Sequence, residues 1–183
     1  MRLFIGVELA EDVKSILENY QNTLKQESYR GNYSRKENLH LTLFFIGETS
    51  ADDLSLWEGI ISDVAKRTST FALELAGVNS FVRNRRHIVY VEVKKHKELL
   101  NLWDTLIKEI NKRGINSQVG EYTSHITLAR EAEFNKSFDE IKKGFVNLKL
   151  TSPVQDIILF ESTRINGVLT YLPLKKEKLK LGE

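Results

Sequence analysis

The sequence has no cysteine, and it has no hydrophobic run long enough to cross a membrane. Without cysteine the chain can form neither a disulfide framework nor a thiolate metal site, which fits a reducing compartment. A membrane helix needs about 20 consecutive apolar residues. The opening segment MRLFIGVELAEDV is too short, and becomes acidic too early, for a signal peptide. We therefore expect a cytoplasmic protein that does not enter a membrane.

The chain also has little net charge. Its formal charge is +2, which excludes a protein that binds nucleic acid through bulk electrostatics, although a local basic patch can still hold a phosphate. The hydrophobic content of 41% is typical of a globular protein. A chain of 183 residues suits one domain, or two small lobes that share a core.

Histidine is scarce, and two of the four histidines carry the same local motif. The stretch NLHLTLFFIGE contains His40 and Thr42, and the stretch TSHITLARE contains His125 and Thr127, each pair followed by leucine. A single His-x-Thr is weak evidence of function, because short motifs often occur by chance. Two copies in a chain with so few histidines exceed the chance expectation, and they indicate a functional pair.

The apolar periodicity predicts that the two motifs occupy matching places in a repeated pattern. Each half of the chain reads as a helix, a His-x-Thr strand, a second helix and further strands, with the repeat boundary near residue 95. We expect one domain over residues 1–183, made of two lobes. The segment YRGNYSRKEN is predicted to be a polar loop, and the C-terminal KKEKLKLGE a solvated tail.

The strand geometry places each histidine beside its threonine. Residues i and i+2 of a strand point to the same face, so His40 shares a face with Thr42, and His125 with Thr127. The leucines and isoleucine between them form the opposite, core-facing side. A pseudo-two-fold arrangement would then set the two imidazoles across a cleft between the lobes.

Two facing imidazoles are suited to general acid–base catalysis near neutral pH. One can accept a proton from a nucleophile while the other donates one to a leaving group. The two threonine hydroxyls can donate hydrogen bonds to an anion held between the imidazoles. The pattern predicts a phosphoryl-transfer site that requires neither a metal nor a cofactor.

These motifs resemble those of the two-histidine phosphoesterases, and within them the RNA 2′,3′-cyclic phosphodiesterases of the LigT/ThpR type. The similarity extends over nearly the whole chain and includes MRLFIGVEL, ENLHLTLFFIGE, SHITLARE and LFESTRINGVLTYLPL. It implies a bilobal α+β fold in which two antiparallel sheets line a central cleft, with helices packed outside. It also implies opening of an RNA 2′,3′-cyclic phosphate to a 2′-phosphate, with tRNA fragments among the possible substrates and 2′–5′ ligation as the reverse reaction. By position, His40 matches the family's proton donor and His125 its proton acceptor, while Thr42 and Thr127 match its phosphate-contacting residues.

Three further residues are candidate substrate contacts. Phe44 lies on the His40 face by alternation and could stack a base, and Phe4 on the first strand is a weaker candidate for the same role. Arg130 could pair with a phosphate, as the HITLAR ending suggests, if the strand ends or twists before it. The basic turn from Arg83 to Arg86 is interpreted as a solvated hairpin tip, although it could instead contact an RNA backbone.

Three alternatives stay open at this point. The enzyme could act on a small nucleotide or ADP-ribose cyclic phosphate instead of an RNA end, because such a site would use the same four residues. The protein could bind RNA ends without turning them over. A zinc hydrolase is a weaker alternative, because the histidines lack close ligand spacing. We expect a monomer in each case.

Overall fold

The structure is a computed structural model, and it describes residues 1–117 and 120–182. In chain order the strands are β1 Arg2–Glu8, β2 Ser28–Tyr33, β3 His40–Glu48, β4 Phe71–Arg83, β5 Arg86–Val93, β6 His125–Phe134, β7 Lys149–Val154, β8 Asp156–Ile165 and β9 Val168–Lys178. The α-helices are α1 Glu11–Glu27, α2 Leu54–Ala65, α3 Lys97–Lys112 and α4 Phe138–Lys142. Short 3-10 helices follow β2 and α4, at Lys36–Asn38 and Lys143–Phe145.

Two antiparallel sheets organise the described residues. The first has four strands in the order β3-β1-β8-β9, and the second has five in the order β2-β6-β5-β4-β7. The two His-x-Thr strands therefore belong to different sheets, β3 to the first and β6 to the second. Helix α1 packs on the second sheet, α2 packs on the first, and α3 lies against α2 and β4. The predicted α+β fold with two antiparallel sheets is confirmed.

Each sheet takes strands from both halves of the chain. In the first sheet β1 pairs with β8 from the second half, and in the second sheet β5 pairs with β6 and β4 with β7. The boundary near residue 95 thus separates the sequence repeats but not the two sheets. One contiguous apolar core connects the layers, with buried residues from both sheets and from the helices. No helix among the described residues is long and apolar enough to span a membrane.

Two segments differ from the sequence prediction. The predicted polar loop contains β2, an edge strand whose Ser28–Tyr33 segment pairs with β6. Its polar residues give little local strand signal, so pairing with β6 decides its conformation. The predicted tail is also ordered over its described residues 175–182: β9 continues to Lys178, Leu179 is buried, and Lys180 forms a bridge with Ser69. Its last residue, Glu183, lies outside the described residues.

A glycine in β1 allows β3 to approach closely beside the first histidine. A Cβ atom on Gly6 would lie 2.6 Å from the Leu41 carbonyl oxygen and 3.5 Å from Cδ2 of His40. The first distance is shorter than a van der Waals contact, and the obstructing atom belongs to the backbone. A larger residue at this position would push β3 away from β1.

We expect Gly6→Ala to lower the free energy of unfolding by about 1–3 kcal/mol, the usual cost of overpacking in a filled interior. Gly144→Ala is the matched control, because a Cβ there meets nothing within 4 Å. It should change stability by less than about 0.5 kcal/mol. Urea unfolding of both variants measures the difference, and equal stabilities would show that β1 and β3 can separate at no cost.

Candidate active site

A cleft between the two sheets brings together the four residues of the repeated motifs. His40, Thr42, His125 and Thr127 all line one cavity of about 580 Å³. On the opposite faces of the same strands, Leu41, Leu43, Ile126 and Leu128 are buried in the core. The period of two therefore positions the motif side chains as the sequence predicts.

The ring of His40 is held at both nitrogens. Nδ1 lies 2.7 Å from the Asn38 carbonyl oxygen, and Nε2 lies 2.8 Å from Oγ1 of Thr42. A carbonyl oxygen can only accept, so Nδ1 carries the hydrogen. In the neutral ring Nε2 then accepts from the Thr42 hydroxyl, and in the protonated ring it donates to that oxygen.

Asn38 connects His40 to the other side of the first sheet. Its Nδ2 donates to the Leu169 carbonyl oxygen at 2.9 Å, and its Oδ1 accepts from the Tyr171 backbone N–H at 3.2 Å. The carboxamide thus bonds to two backbone groups of β9, while the backbone carbonyl of the same residue orients the imidazole. This arrangement fixes the position and the tautomer of His40.

His125 has a parallel anchor. Its Nδ1 donates to the Thr123 carbonyl oxygen at 2.8 Å, which leaves Nε2 free to face the cleft. Its ring packs against Tyr90 and Phe81, with centroid distances of 5.3 and 5.4 Å. The neighbouring Tyr122 hydroxyl donates to the Thr42 carbonyl oxygen at 3.0 Å, so the segment before the second histidine is bonded to the strand of the first.

Each motif strand has a β-bulge at the leucine that ends the motif. In β3, Phe44 pairs with Ile5 and Thr42 with Gly6, so Leu43 is the extra residue. In β6, Ala129 pairs with Val89 and Thr127 with Tyr90, which makes Leu128 the extra residue. A bulge shifts the alternation of the residues that follow it. The two motifs therefore share a backbone irregularity as well as a sequence.

The bulge at Leu43 makes the prediction for Phe44 wrong. Phe44 packs toward the core beside Trp57, with ring centroids 6.1 Å apart, and does not line the cleft. Its place is taken by Phe45, which is 52% exposed at the cleft and has the Arg2 guanidinium 5.0 Å above its ring. Strict alternation from His40 selected the wrong phenylalanine, because it did not allow for the extra residue.

The bulge at Leu128 has the corresponding effect on Arg130. Alternation alone would point this side chain away from His125, but after the bulge Arg130 lies on the cleft wall. Leu128 and Ala129 are both fully buried, and Arg130 is exposed. Phe45 and Arg130 thus occupy equivalent places, three residues after Thr42 and Thr127 respectively.

The expected stacking role of Phe4 does not agree with its burial. Phe4 is 3% exposed and stacks on Phe160, with ring centroids 5.0 Å apart. It also lies 4.8 Å from the ring of His40 and 5.0 Å from Tyr171. Phe4 lines the cleft, but as a buried ring beneath His40 that offers too little exposed surface to stack a base.

Burial makes both imidazoles less basic than free histidine. It lowers the pKa of His40 to about 4, against a smaller opposing effect of the hydrogen bond to Asn38 and with a further lowering from nearby Arg130. The pKa of His125 is also lowered by burial, and Arg130 contributes in the same direction. In the free protein at pH 7 the two rings are therefore neutral, each with its Nδ1 hydrogen fixed by a carbonyl.

The donor set offers little to a metal ion. Among residues 1–117 and 120–182, no group of three or more His, Cys, Asp or Glu side chains is arranged to hold one. His87 bonds to Ser80, and His96 caps α3 and contacts Glu98, so both lie in other hydrogen-bond networks.

Several cleft residues were missed by the sequence reasoning. Tyr171 lines the cleft and contacts the ring of His40 edge-on at 5.0 Å. Arg164 reaches the cleft from β8, and Phe81 flanks His125. The late stretch LFESTRINGVLTYLPL contains Arg164 and Tyr171, so the similarity of that stretch was the signal that could have identified them.

Comparison with known proteins identifies the family. A family model described as the 2′-5′ RNA ligase superfamily matches residues 9–164. This chain belongs to the 2′-5′ RNA ligase superfamily. The resemblance inferred from the two motifs is thereby confirmed.

Curated relatives and solved structures agree with that assignment. The RNA 2′,3′-cyclic phosphodiesterase of Escherichia coli strain K12 is 28% identical over 180 residues, 96% of this chain and 94% of the relative. The protein of the same name from Methanothermobacter thermautotrophicus is 27% identical over 131 residues, 71% of each chain. The TT0787 structure from Thermus thermophilus superposes with a TM-score of 0.81 at 23% identity, and covers both chains fully. Escherichia coli LigT complexed with 3′-AMP superposes with a TM-score of 0.77 at 23% identity, and covers 97% of both chains.

The buried His40 should make stability depend on pH. Its pKa of about 4 in the folded state lies below the ordinary value of 6.5, so the unfolded chain binds a proton that the folded chain excludes. This contribution is complete above pH 6.5 and is lost as the pH falls toward 4. Between pH 6.5 and 4, each unit decrease in pH therefore lowers the free energy of unfolding by up to about 1.4 kcal/mol.

We expect His40→Gln to lose less stability than the wild type between pH 6.5 and 4. Urea unfolding at several pH values measures the two slopes, and the NMR titration of the His40 ring gives its pKa directly. If unfolding free energy changed with pH equally in both proteins and the His40 pKa were near 6.5, burial would not oppose protonation of the ring.

Proposed function

We propose that this protein opens RNA 2′,3′-cyclic phosphate ends to 2′-phosphates by acid–base catalysis from two histidines. The observation that carries the proposal is the pair of imidazoles on opposite sheets. Each is anchored at Nδ1 by a carbonyl two residues earlier, and both line one cavity. The names of the superfamily relatives support the substrate and the reaction.

The reaction requires a base and an acid on opposite sides of phosphorus. Water attacks the phosphorus of the cyclic diester, the bond to the 3′-oxygen breaks, and that oxygen leaves with a proton. One imidazole takes the proton of the attacking water through its free Nε2, and the other donates a proton to the 3′-oxygen. By resemblance His125 is the base and His40 the acid. The reaction is balanced by one water and needs no redox partner.

The acid must gain its proton in the presence of substrate, because burial keeps both rings neutral in the free protein. The negative charge of the cyclic phosphate favours a protonated imidazole beside it, which opposes the cost of desolvation. Substrate binding and protonation are thus coupled. Thr42 and Thr127 supply hydroxyl donors on the same face, and Arg130 supplies a fixed positive charge for the charge that develops on the phosphoryl oxygens.

The same residues would catalyse 2′–5′ ligation, which is the reverse of cleaving a 2′–5′ linkage in this site. An RNA 5′-hydroxyl then replaces water as the nucleophile that displaces the 3′-oxygen. Fragments of tRNA that end in a cyclic phosphate belong to the proposed substrate class. Hydrolysis is favoured over ligation because water is in large excess over RNA 5′-hydroxyl groups.

A product assay tests the chemistry directly. An RNA oligonucleotide with a 2′,3′-cyclic phosphate end should give the 2′-phosphomonoester, and the rate should be unchanged by excess EDTA because the proposed steps use only side chains. Resolving the 2′- from the 3′-monophosphate by chromatography measures the outcome. A 3′-phosphate product, or activity that EDTA abolishes and a divalent metal restores, would contradict the proposed mechanism.

The histidines should act as a unit with an acidic optimum. The pH profile of kcat/KM reports groups of the free enzyme, and both imidazoles there have pKa values below 6.5. We expect a bell-shaped profile with its maximum below pH 6.5, which holds whichever histidine is the acid. His40→Ala and His125→Ala should each lower kcat about 10²–10⁴-fold, and the double variant should be little worse than either.

The control for that experiment is the fold of each variant, followed by near-ultraviolet circular dichroism. Near-wild-type turnover by either single variant would remove that histidine from the chemistry. Strictly multiplicative losses in the double variant would show that the two residues act independently.

A further inference from the structure

Beside the catalytic cleft lies a second groove of about 580 Å³, whose walls carry five arginines. We call it the arginine groove, and the five are Arg35, Arg83, Arg86, Arg130 and Arg164. We propose that this groove binds the phosphodiester backbone of the RNA upstream of its cyclic end, so that the enzyme selects RNA over free nucleotides. That the bound RNA ends in a 2′,3′-cyclic phosphate rests on the proposed function.

The groove is continuous with the cleft. Arg130, Arg164, Leu169 and Tyr171 line both, so the two cavities share a wall. A strand whose terminal phosphate lies between the histidines can therefore pass directly into the groove. Like the cleft, the groove lies between the sheets, since Arg164 belongs to β8 of the first sheet and Arg83 to β4 of the second.

The charge of the groove is strongly unbalanced, whereas the chain as a whole has a formal charge of only +2. Its walls include five arginines but one acidic residue, Glu131. That carboxylate bonds to Arg86, which also donates from Nε to Glu133 at 3.1 Å. Arg86 is therefore a structural anchor that ties the β4–β5 hairpin to β6, and its charge is compensated.

The other arginines are available to an anion. Within the described residues, Arg83 and Arg130 have no carboxylate within 4.0 Å, and Arg164 bonds through Nη1 to the Gly167 carbonyl oxygen at 2.7 Å. Arg35 has only an exposed partner, Glu37 at 3.3 Å, and exposed ion pairs contribute little. Four guanidinium groups thus surround one groove without firm carboxylate partners. Such groups bind phosphate oxygens in bidentate geometry.

A single-stranded RNA backbone is the ligand that fits this pattern. Arg130 and Arg164 line both the groove and the cleft, whereas Arg35 and Arg83 line the groove alone, so positive charge continues from the cleft into the groove. The remaining wall has apolar groups, among them Tyr33 and Ile88, that can contact ribose or base without reading sequence. The basic turn interpreted from sequence as a solvated tip is thereby assigned a binding role through Arg83.

Arg35 and Arg83 provide the test, because they line the groove but not the catalytic cleft. The substrates are a nucleoside 2′,3′-cyclic phosphate and oligonucleotides of two, four and eight nucleotides with the same end. For the wild type, kcat/KM should increase with length. For the Arg35→Ala/Arg83→Ala double variant, KM for the longest substrate should rise about tenfold, while turnover of the mononucleotide stays unchanged.

Salt dependence gives an independent readout. Each phosphate contact on a single strand contributes about 0.7 to the slope of log affinity against log salt concentration, so the double variant should lose about 1.4. The matched control is Lys97→Ala/Lys108→Ala, which removes the same net charge from α3. It should leave both the length dependence and the salt slope as in the wild type.

Three outcomes would overturn the proposal. The first is an unchanged KM for long RNA in the arginine double variant. The second is a loss of kcat/KM on the mononucleotide as large as that on long RNA. The third is a loss of kcat/KM on long RNA in the lysine control as large as that in the arginine variant. Failure of the proposed function is distinguishable, because then the wild type would not hydrolyse even the mononucleotide. In that case the affinity of the His125→Ala protein for fluorescein-labelled eight-nucleotide RNA, with and without the two arginines, still tests the groove.

Discussion

The hydrogen bond from each Nδ1 to a backbone carbonyl is the interaction on which the rest of the site depends. It fixes the tautomer, and it leaves Nε2 of both rings directed to one cavity. It also satisfies one polar group of a ring that burial has largely removed from water. Since that burial lowers the pKa of both rings, each is neutral at pH 7 in the free protein. In the proposed mechanism the missing proton arrives together with the anionic substrate, so substrate binding and activation of the acid occur in one step.

The segments that supply the two anchoring carbonyls also bond to other parts of the fold. Asn38 bonds to β9 through its carboxamide and to His40 through its carbonyl, and Tyr122 bonds across to the Thr42 carbonyl from the segment before His125. Each histidine is therefore positioned by a segment that also joins two parts of the fold. The interleaving of strands from both halves in each sheet has the same effect, because neither sheet can form from one half alone.

The sequence alone predicts which motif side chains face the cleft, but it does not predict this for the residues that follow each motif. His40, Thr42, His125 and Thr127 follow from the period of two, which holds as far as the motif leucine. The bulges at Leu43 and Leu128 then shift the alternation, so Phe45 replaces Phe44 in the cleft and Arg130 reaches it. Bulges are determined by pairing with neighbouring strands, which no single stretch of sequence encodes. The same reason explains β2, whose polar residues form a strand only because β6 is available to pair with it.

The repetition of the bulge indicates why the motif ends in leucine. In both strands the extra residue is fully or almost fully buried, so its side chain secures the bulge to the core. The residue three places after the threonine is then turned into the cleft, as a phenylalanine in one sheet and an arginine in the other.

The motif thus positions a histidine, a threonine and a third, variable side chain. An aromatic ring with Arg2 above it forms one wall, and the other wall carries the guanidinium that connects the cleft to the arginine groove. The same β-bulge in both strands therefore gives two equivalent histidine–threonine pairs in a cavity whose two walls differ. This difference between the walls suits the proposed substrate, whose cyclic phosphate presents different groups on its two sides.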